Sequence, residues 1–320
     1  MRYALGVDLG ATNARAGVVT PGGEVLYSER RATEAGRGGE HVLAVLADLV
    51  GSCLSRAPLK RAEIDGIGIG SPGVIDITTG TVVKATLNIP GWSGTPLKTA
   101  LESAFGTGVY VDNDANVVAL GEHTFGAAKG CDDFVCVTLG SGVGGCIFVD
   151  GKIRRGRQRA AGHIGHMSVD SAGRLCNCGR VGCLEQYASA WAVGQRARAR
   201  VAAGDRSLIA RKAGGDPDRV DAKLVFEAAR EGDPLALAIA SEVARAVAQV
   251  LADIVNLLDP ELIVIGGGVA QAGDDLIARI RQELETASKV GVEPPPVVPA
   301  RLGEDAGILG GAALVFGGFR

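Results

Sequence analysis

Four side chains within one short polar segment, AGHIGHMSVDSAGRLCNCGRVGCLE (Ala161 to Glu185), are of the types that hold a soft metal ion: His166, Cys176, Cys178 and Cys183. One imidazole and three thiolates close a tetrahedral structural Zn²⁺ site and leave no position for water, so such a metal shapes a loop rather than activating a substrate. C-x-C is a tight spacing, but Gly179 and Gly182 let the loop fold back. A redox pair prefers C-x-x-C near a helix start, and unliganded buried cysteines do not need this density of Gly, Asn and Arg. The seven cysteines are an odd number and the first residues do not read as a secretory leader, which argues against a disulfide framework. His163 and Glu185 ride on the same segment. A metal-fixed loop presents them to a hydroxyl-rich ligand at low entropic cost. The alternative for Glu185 is a helix-start carboxylate favoured by the helix dipole.

A second set of candidates lies in three glycine- or carboxylate-bearing stretches. DLGATN (Asp8 to Asn13) and TLGSGVGG (Thr138 to Gly145) leave backbone N–H groups free in turns where a phosphate chain can approach without a Cβ in the way. Asp8 directly follows a strand and suits Mg²⁺ or its water shell, while Thr12, Thr138 and Ser141 offer hydroxyls. Taken singly, each turn could merely close a hairpin; together they fit one triphosphate. VDNDAN (Val111 to Asn116) puts Asp114 between a strand and a helix, where it could act as general base on a substrate hydroxyl with Asn113 on a neighbouring one. The alternative is a helix cap, since Asp and Asn are favoured there. Gly266, Gly267 and Gly268 follow another apolar strand and could floor an adenine or ribose, or simply end the strand. No G-x-x-x-x-G-K-[ST] is present, and the turns lie in hairpins, so P-loop and Rossmann readings fit poorly.

The elements that must position these groups follow from periodicity. Tyr3 to Val7 and the run after DLGATN read as a strand hairpin, and DFVCVTLGSGVGGCIFVDGKI as another, which suggests two related halves. IDGIGIGSPGVID gives a buried strand with a turn at Ser71 to Gly73. Helices are expected at His41 to Leu54, Pro96 to Phe105, after VDND, and at Ser189 to Ala202, Ala222 to Glu231, Pro234 to Leu258 and Asp274 to Ser288. AAGDRSLIARKAGGDPDRV reads as a breaker-rich connection, and DAGILGGAALVF as a small-residue helix able to pack closely. With 320 residues, 47% hydrophobic, two domains are the better expectation. Forty-eight glycines and 4% aromatics suit an α/β fold. A net charge of -3 gives no reason to expect nucleic acid, the apolar runs read as too short to span a bilayer, and a cytoplasmic protein with a small-molecule partner is expected.

In combination these motifs resemble one family, the ROK sugar kinases and repressors of the actin/hexokinase/Hsp70 superfamily, across essentially the whole chain. DLGATNARAG is similar to its first phosphate motif, GSPGVID to its P-G-x-x-D segment, VDNDAN to its catalytic segment and TLGSGVGG to its second phosphate motif. The most specific match is E-x-G-H followed by C-x-C-G-x-x-G-C-x-E, here HIGH and CNCGRVGCLE.

The resemblance implies an α/β chain with the two-domain actin-like/ribonuclease H-like ATPase fold and an interdomain cleft. Its N-terminal domain would span residues 1–115, completed by the C-terminal helix at about 300–320, and its larger domain 116–300, carrying the zinc loop 163–185. It also implies ATP across the two hairpins and transfer of the γ-phosphoryl to a hexose, most simply glucose. Asp114 would be the base. Gly73, Thr86, Asn88, Asn113, His163, His166 and Glu185 would contact sugar. Asp8, Gly10, Ala11, Thr12, Asn13, Thr138, Gly140, Ser141 and Gly142 would face the phosphates and Mg²⁺, with Gly266 to Gly268 toward the adenosine. Homodimers or homotetramers are expected.

Three residues depart from the family pattern. His163 stands where the family has Glu; imidazole offers a donor and an acceptor where carboxylate only accepts, so the preferred sugar or anomer can differ, unless the position merely faces water. Ala11 stands where glycine is common, tolerable if φ stays negative, and Ser141 replaces Thr while keeping the hydroxyl. The alternatives are a kinase for N-acetylglucosamine, N-acetylmannosamine, mannose or fructose, a non-catalytic sugar-responsive regulator, or a binding protein that retains nucleotide. The resembled first phosphate motif begins at Leu5, so a DNA-binding domain ahead of it is not expected.

Overall fold

The alternating residues of YALGVDL and NARAGVV form β1 (Tyr3–Leu9) and β2 (Asn13–Val19), an antiparallel hairpin closed by the DLGATN turn. The computed structural model describes residues 2–58, 60–85, 88–270, 274–287 and 293–317. β3 (Val25–Ala32), unforeseen in the sequence, extends the hairpin on its outer edge. Its half-exposed side chains show weak alternation, which is why periodicity misses it. After α1 (Gly39–Arg56) come β4 (Ile64–Ser71) and a small hairpin of β5 (Val74–Asp76) and β6 (Thr81–Lys84). α2 (Leu97–Phe105), β7 (Val109–Asn113) and α3 (Asp114–Phe125) follow. β1, β4 and β7 are parallel neighbours, giving the sheet order β3-β2-β1-β4-β7.

The second hairpin is β8 (Phe134–Leu139) and β9 (Val143–Val149), and β10 (Lys152–Ile153) turns back on the end of β9. α4 (Glu185–Ala188), α5 (Ala190–Ala202), α6 (Leu208–Lys212), α7 (Ala222–Arg230) and α8 (Pro234–Leu258) lead to β11 (Leu262–Gly266). α9 (Asp274–Ala287), β12 (Val297–Pro299) and α10 (Ala306–Gly317) complete the chain. The order β9-β8-β11-β12, with β8, β11 and β12 parallel, repeats the order β2-β1-β4-β7 of the first sheet. The two halves suspected from the hairpins are thus repeats in topology.

Two expectations need correction. The segment read as a plain connection contains α6, capped by the Ser207 hydroxyl on the Ile209 N–H, with Ile209 fully buried. The bilayer argument also changes, because α8 is long and apolar enough to cross a membrane by length and composition, with a mean hydropathy of 1.6. In the fold α8 is a core helix packed by α7 and α9, burying Ile239, Val243, Val247, Leu251 and Ile254.

The chain divides into two compact units. One holds Met1–Asp132, Ile147–Ala161 and Arg301–Arg320, the other Asp133–Cys146 and Gly162–Ala300. The sequence boundary at 115/116 would cut α3 after its first residues, whereas here all of α3 stays in the first unit. The reason is packing: α10 lies against α3, and the fully buried Glu122 accepts the N–H groups of Ala127, Arg301 and Leu302 at 2.7, 3.1 and 2.9 Å.

Within the first unit, β1 sends Leu5, Val7 and Leu9 to one face, into a core with Val42, Leu46 and Leu49 of α1. Ala4, Gly6 and Asp8 take the other face by period-two alternation. α10 seats there so closely that a Cβ on Gly6 would overlap the Ile308 carbonyl and one on Gly68, its register partner, the Gly311 carbonyl. The first turn of α10 therefore comes up against Asp8, where Gly307 leaves room for the carboxylate.

Candidate active site and metal cluster

In the first unit the candidate residues gather at the carboxyl ends of the three parallel strands, where α/β sheets bind ligands. Register places Asp8 beside Gly70, Gly70 beside Asp112, and Ser71 beside Asn113. The Asp8 carboxyl is raised in pKa by burial, with Arg15 pulling the other way. Asn13 closes the first turn by accepting the Gly10 N–H at 3.0 Å, and the Thr33 hydroxyl holds the Gly10 carbonyl at 2.7 Å. Ala11 and Thr12 line an open depression of about 700 Å³ together with Ala35 and Arg37. Ala11 is not among the residues with positive φ, so its methyl group fits the turn.

In VDNDAN the helix cap and the buried carboxyl are different residues. Asn113 is the cap: its Oδ1 accepts the N–H groups of Ala115 and Asn116 at 3.0 and 3.3 Å, while its Nδ2 donates to the Gly73 carbonyl at 3.1 Å. Gly73 and Asn113 are thereby brought together, while Asp114 Oδ1 shares the Ala115 N–H with the cap, at 2.9 Å. Burial pushes the Asp114 carboxyl up to about 6; the Ala115 N–H opposes this and the nearby Asp8 charge reinforces it. A carboxylate so poised is still ionised near neutrality yet basic enough to take a proton. Asn88 is exposed, and Thr86 lies outside the described residues.

Three supports of this end were not foreseen. Asp112, 2% exposed, accepts the N–H of Asn113 and Nδ2 of Asn116 on Oδ1, and Nε and Nη2 of Arg155 on Oδ2. The buried Trp92 donates its indole N–H to Ser71 at 3.1 Å, bracing the Ser71 to Gly73 turn. Gly307 is the third. In sequence Arg155 is one arginine in the exposed-looking run RRGRQR and Trp92 part of a loop; neither carries a local signal.

In the second unit the TLGSGV turn is gripped from three sides. Gly140 N–H bonds the Gly142 carbonyl at 2.9 Å, Ala190 N–H at the start of α5 bonds the Gly140 carbonyl at 2.8 Å, and Val269 N–H bonds the Leu139 carbonyl at 2.9 Å. Thr138 and Gly266 are register partners and Gly267 packs on Leu139, so the Gly266 to Gly268 stretch sits beside this turn. Ser141 is exposed at its tip. Glu185, the first residue of α4, accepts the Val143 N–H on Oε2 at 3.0 Å.

The four metal-ligand candidates also meet. Their donor atoms lie within 4.8 Å of one another, with Cys176 Sγ 3.9 Å from His166 Nδ1 and Cys178 Sγ 3.6 Å from Cys183 Sγ. Tetrahedral Zn–S bonds of ~2.3 Å set sulfur atoms ~3.8 Å apart, so the spacing suits zinc. The three cysteines are free thiols. Burial, then the adjacent thiols of Cys178 and Cys176, push Cys183 up to about 12, whereas Cys178 is lowered on balance because the Arg180 backbone N–H and its neighbours outweigh its burial. Three thiolates in this space need a cation between them, and the donor set could hold a structural Zn²⁺. His163 is at the surface of the unit, its ring edge-on to His166 with centroids 6.2 Å apart, and desolvation followed by His166 keeps its pKa below the usual imidazole value.

The profile of the ROK family matches residues 4–317. The chain is 38% identical over 314 residues to a glucokinase of Thermotoga maritima, covering 97% of this chain and 96% of that one. It superimposes on the crystal structure of a ROK family glucokinase from Streptomyces griseus in complex with glucose and AMPPNP with a TM-score of 0.88 at 36% identity, covering 99% and 100% of the two chains. Against a ROK hexokinase from Thermus thermophilus the TM-score is 0.79 at 33% identity, with 98% of each covered. With its paired glycine turns and repeated sheets, this chain belongs to the ROK family and has the two-domain actin-like ATPase fold.

Proposed function

We propose that the chain is an ATP-dependent hexose kinase that transfers the γ-phosphoryl group of Mg-ATP to a hydroxyl of glucose, giving glucose 6-phosphate. The observation that carries this is Asp114: Asn113 is the cap of α3, and the Asp114 carboxylate, with Oδ1 on the Ala115 N–H, is pushed by burial up to about 6 at the carboxyl edge of the sheet. Asp114 accepts the proton of the sugar hydroxyl as the oxygen attacks phosphorus, and ADP leaves with the bridging oxygen.

Asn113 and the Gly73 turn orient neighbouring hydroxyls, with His163, His166, Glu185, Thr86 and Asn88 completing sugar recognition. The glycine turns Gly10 to Asn13 and Gly140 to Gly142, through N–H groups such as those of Ala11, Thr12, Ser141 and Gly142 and with the hydroxyls of Thr12, Thr138 and Ser141, hold the phosphates, and Gly266 to Gly268 the adenosine. Bound Mg²⁺ would neutralise phosphate charge, with Asp8 as its carboxylate partner. His166, Cys176, Cys178 and Cys183 would hold the structural zinc and fix the loop bearing His163 and Glu185. A cytoplasmic homodimer or homotetramer completes the reading; light scattering tests the assembly. A coupled ADP-release assay over glucose, mannose, fructose and the N-acetylhexosamines tests the activity: glucose turnover supports it, and silence across the panel overturns it.

A further inference from the structure

Glu185 has two neighbourhoods. It lies two residues beyond Cys183 at the first turn of α4, and Leu184 N–H ties that point to the Met167 carbonyl beside His166 at 2.8 Å. Yet its Oε2 is not directed to the metal loop. It accepts the N–H of Val143, the residue that closes the second glycine turn and opens β9, at 3.0 Å. Its Oε1 has no partner among the described residues. The contact is tight, since a Cβ built on Gly142 would stand 2.6 Å from Oε2, so only a residue without a side chain lets the carboxylate reach the turn. The same turn is also held by the bond from Ala190 N–H to the Gly140 carbonyl, Ala190 lying five residues along the chain from Glu185 itself.

We propose that Glu185 is a positioning residue that couples sugar occupancy to the geometry of the second phosphate turn. The inference rests on the kinase reading above, in which Oε1 meets a sugar hydroxyl and the turn meets phosphate. A hydroxyl donating to Oε1 fixes the carboxylate plane, and Oε2 then fixes the Val143 N–H and with it the Ser141 and Gly142 N–H groups of the turn that meets the phosphates. Without sugar, the Val143 end of the turn rests on one single-ended side chain, and the phosphates must order that end themselves. Each ligand therefore prepares the protein for the other, and the coupling is equal in both directions by linkage.

Titration calorimetry on the full chain as purified, with glucose and with Mg-AMPPNP as a non-transferring nucleotide, reads this directly. Wild type is expected to bind glucose about 5-fold or more tightly when AMPPNP is present, and AMPPNP more tightly by the same factor when glucose is present. Gly142→Ala displaces only the flexible end of Glu185, so the coupling factor is expected to fall toward one while glucose alone still binds. Glu185→Ala, which leaves the turn's own sequence intact, is expected to lose the coupling as well, and it decides the matter if Gly142→Ala binds nucleotide poorly. A wild-type factor of one, or a factor that survives in Glu185→Ala, overturns the coupling. Failure of wild type to bind either ligand overturns the kinase reading and the coupling with it.

Discussion

Arg155 donates from Nε and Nη2 to the same oxygen, Oδ2, of Asp112, at 2.9 and 2.6 Å, and so neutralises a carboxylate that is 2% exposed directly behind the Asn113–Asp114 pair. Removing one partner of a buried ion pair leaves the other charge stranded, at a cost of about 3–5 kcal/mol. Arg155→Met is therefore expected to lower unfolding stability by about 3 kcal/mol, and adding Asp112→Asn to recover part of the loss. Urea denaturation of the single and double variants measures both; equal stability of Arg155→Met and wild type would rule the pairing out as a support of the site.

Asp114→Asn is expected to lower kcat by about 10²–10⁴-fold, the usual contribution of a positioned base, while glucose and nucleotide still bind. Steady-state kinetics and calorimetry together test this. Turnover within threefold of wild type would remove Asp114 from the base role.

The pH dependence follows from the same carboxyl. A base must be ionised, so kcat/KM is expected to fall as pH drops below about 6 and to level off above it. For stability the sign is opposite. The folded-state pKa of about 6 lies above the ordinary 3.8, so the contribution of Asp114 to stability is fully present below 3.8 and lost as pH rises through about 6. Asp114→Asn is thus expected to be at least as stable as wild type at pH 7, as thermal melts at pH 5 and 7 will show. The Asp8 charge raises the Asp114 pKa, so in Asp8→Asn a carbon-13 carboxyl titration is expected to move the Asp114 midpoint downward.

One zinc per chain is expected by elemental analysis, falling to none in Cys183→Ser. A chelator should lower the melting temperature and expose Cys176, Cys178 and Cys183 to a thiol reagent. Metal retention should weaken in acid, where protons compete for the thiolates. A melting temperature and thiol count unaffected by chelation would refute the assignment.

His163→Glu tests recognition of the sugar. Exchanging a neutral donor–acceptor for a carboxylate alters a hydrogen bond worth about 1.5–3 kcal/mol when charged, so the ratio of kcat/KM between glucose and a competing hexose should change by about tenfold or more. An unchanged panel means the position does not read the sugar.

The sequence already carried what is local. The glycine turns, VDNDAN and the cysteine loop are recognisable because their character depends on residues a few positions apart, and helices such as α8 because burial repeats every 3.6 residues. β3, α6 and β12 escaped notice: β3 has half-exposed side chains, α6 is five residues long and starts from Ser207, and β12 is a three-residue edge strand ending in a proline. The remainder was decided by register and packing between distant segments. That Asn113 and not Asp114 caps α3, that Asp112 meets Arg155, that α10 brings Gly307 to Asp8, and that Glu185 reaches across to Val143 all depend on where strands and helices come to rest. Residue type states what a side chain can do, and only the folded chain sets which partner lies within the ~3 Å that a hydrogen bond requires.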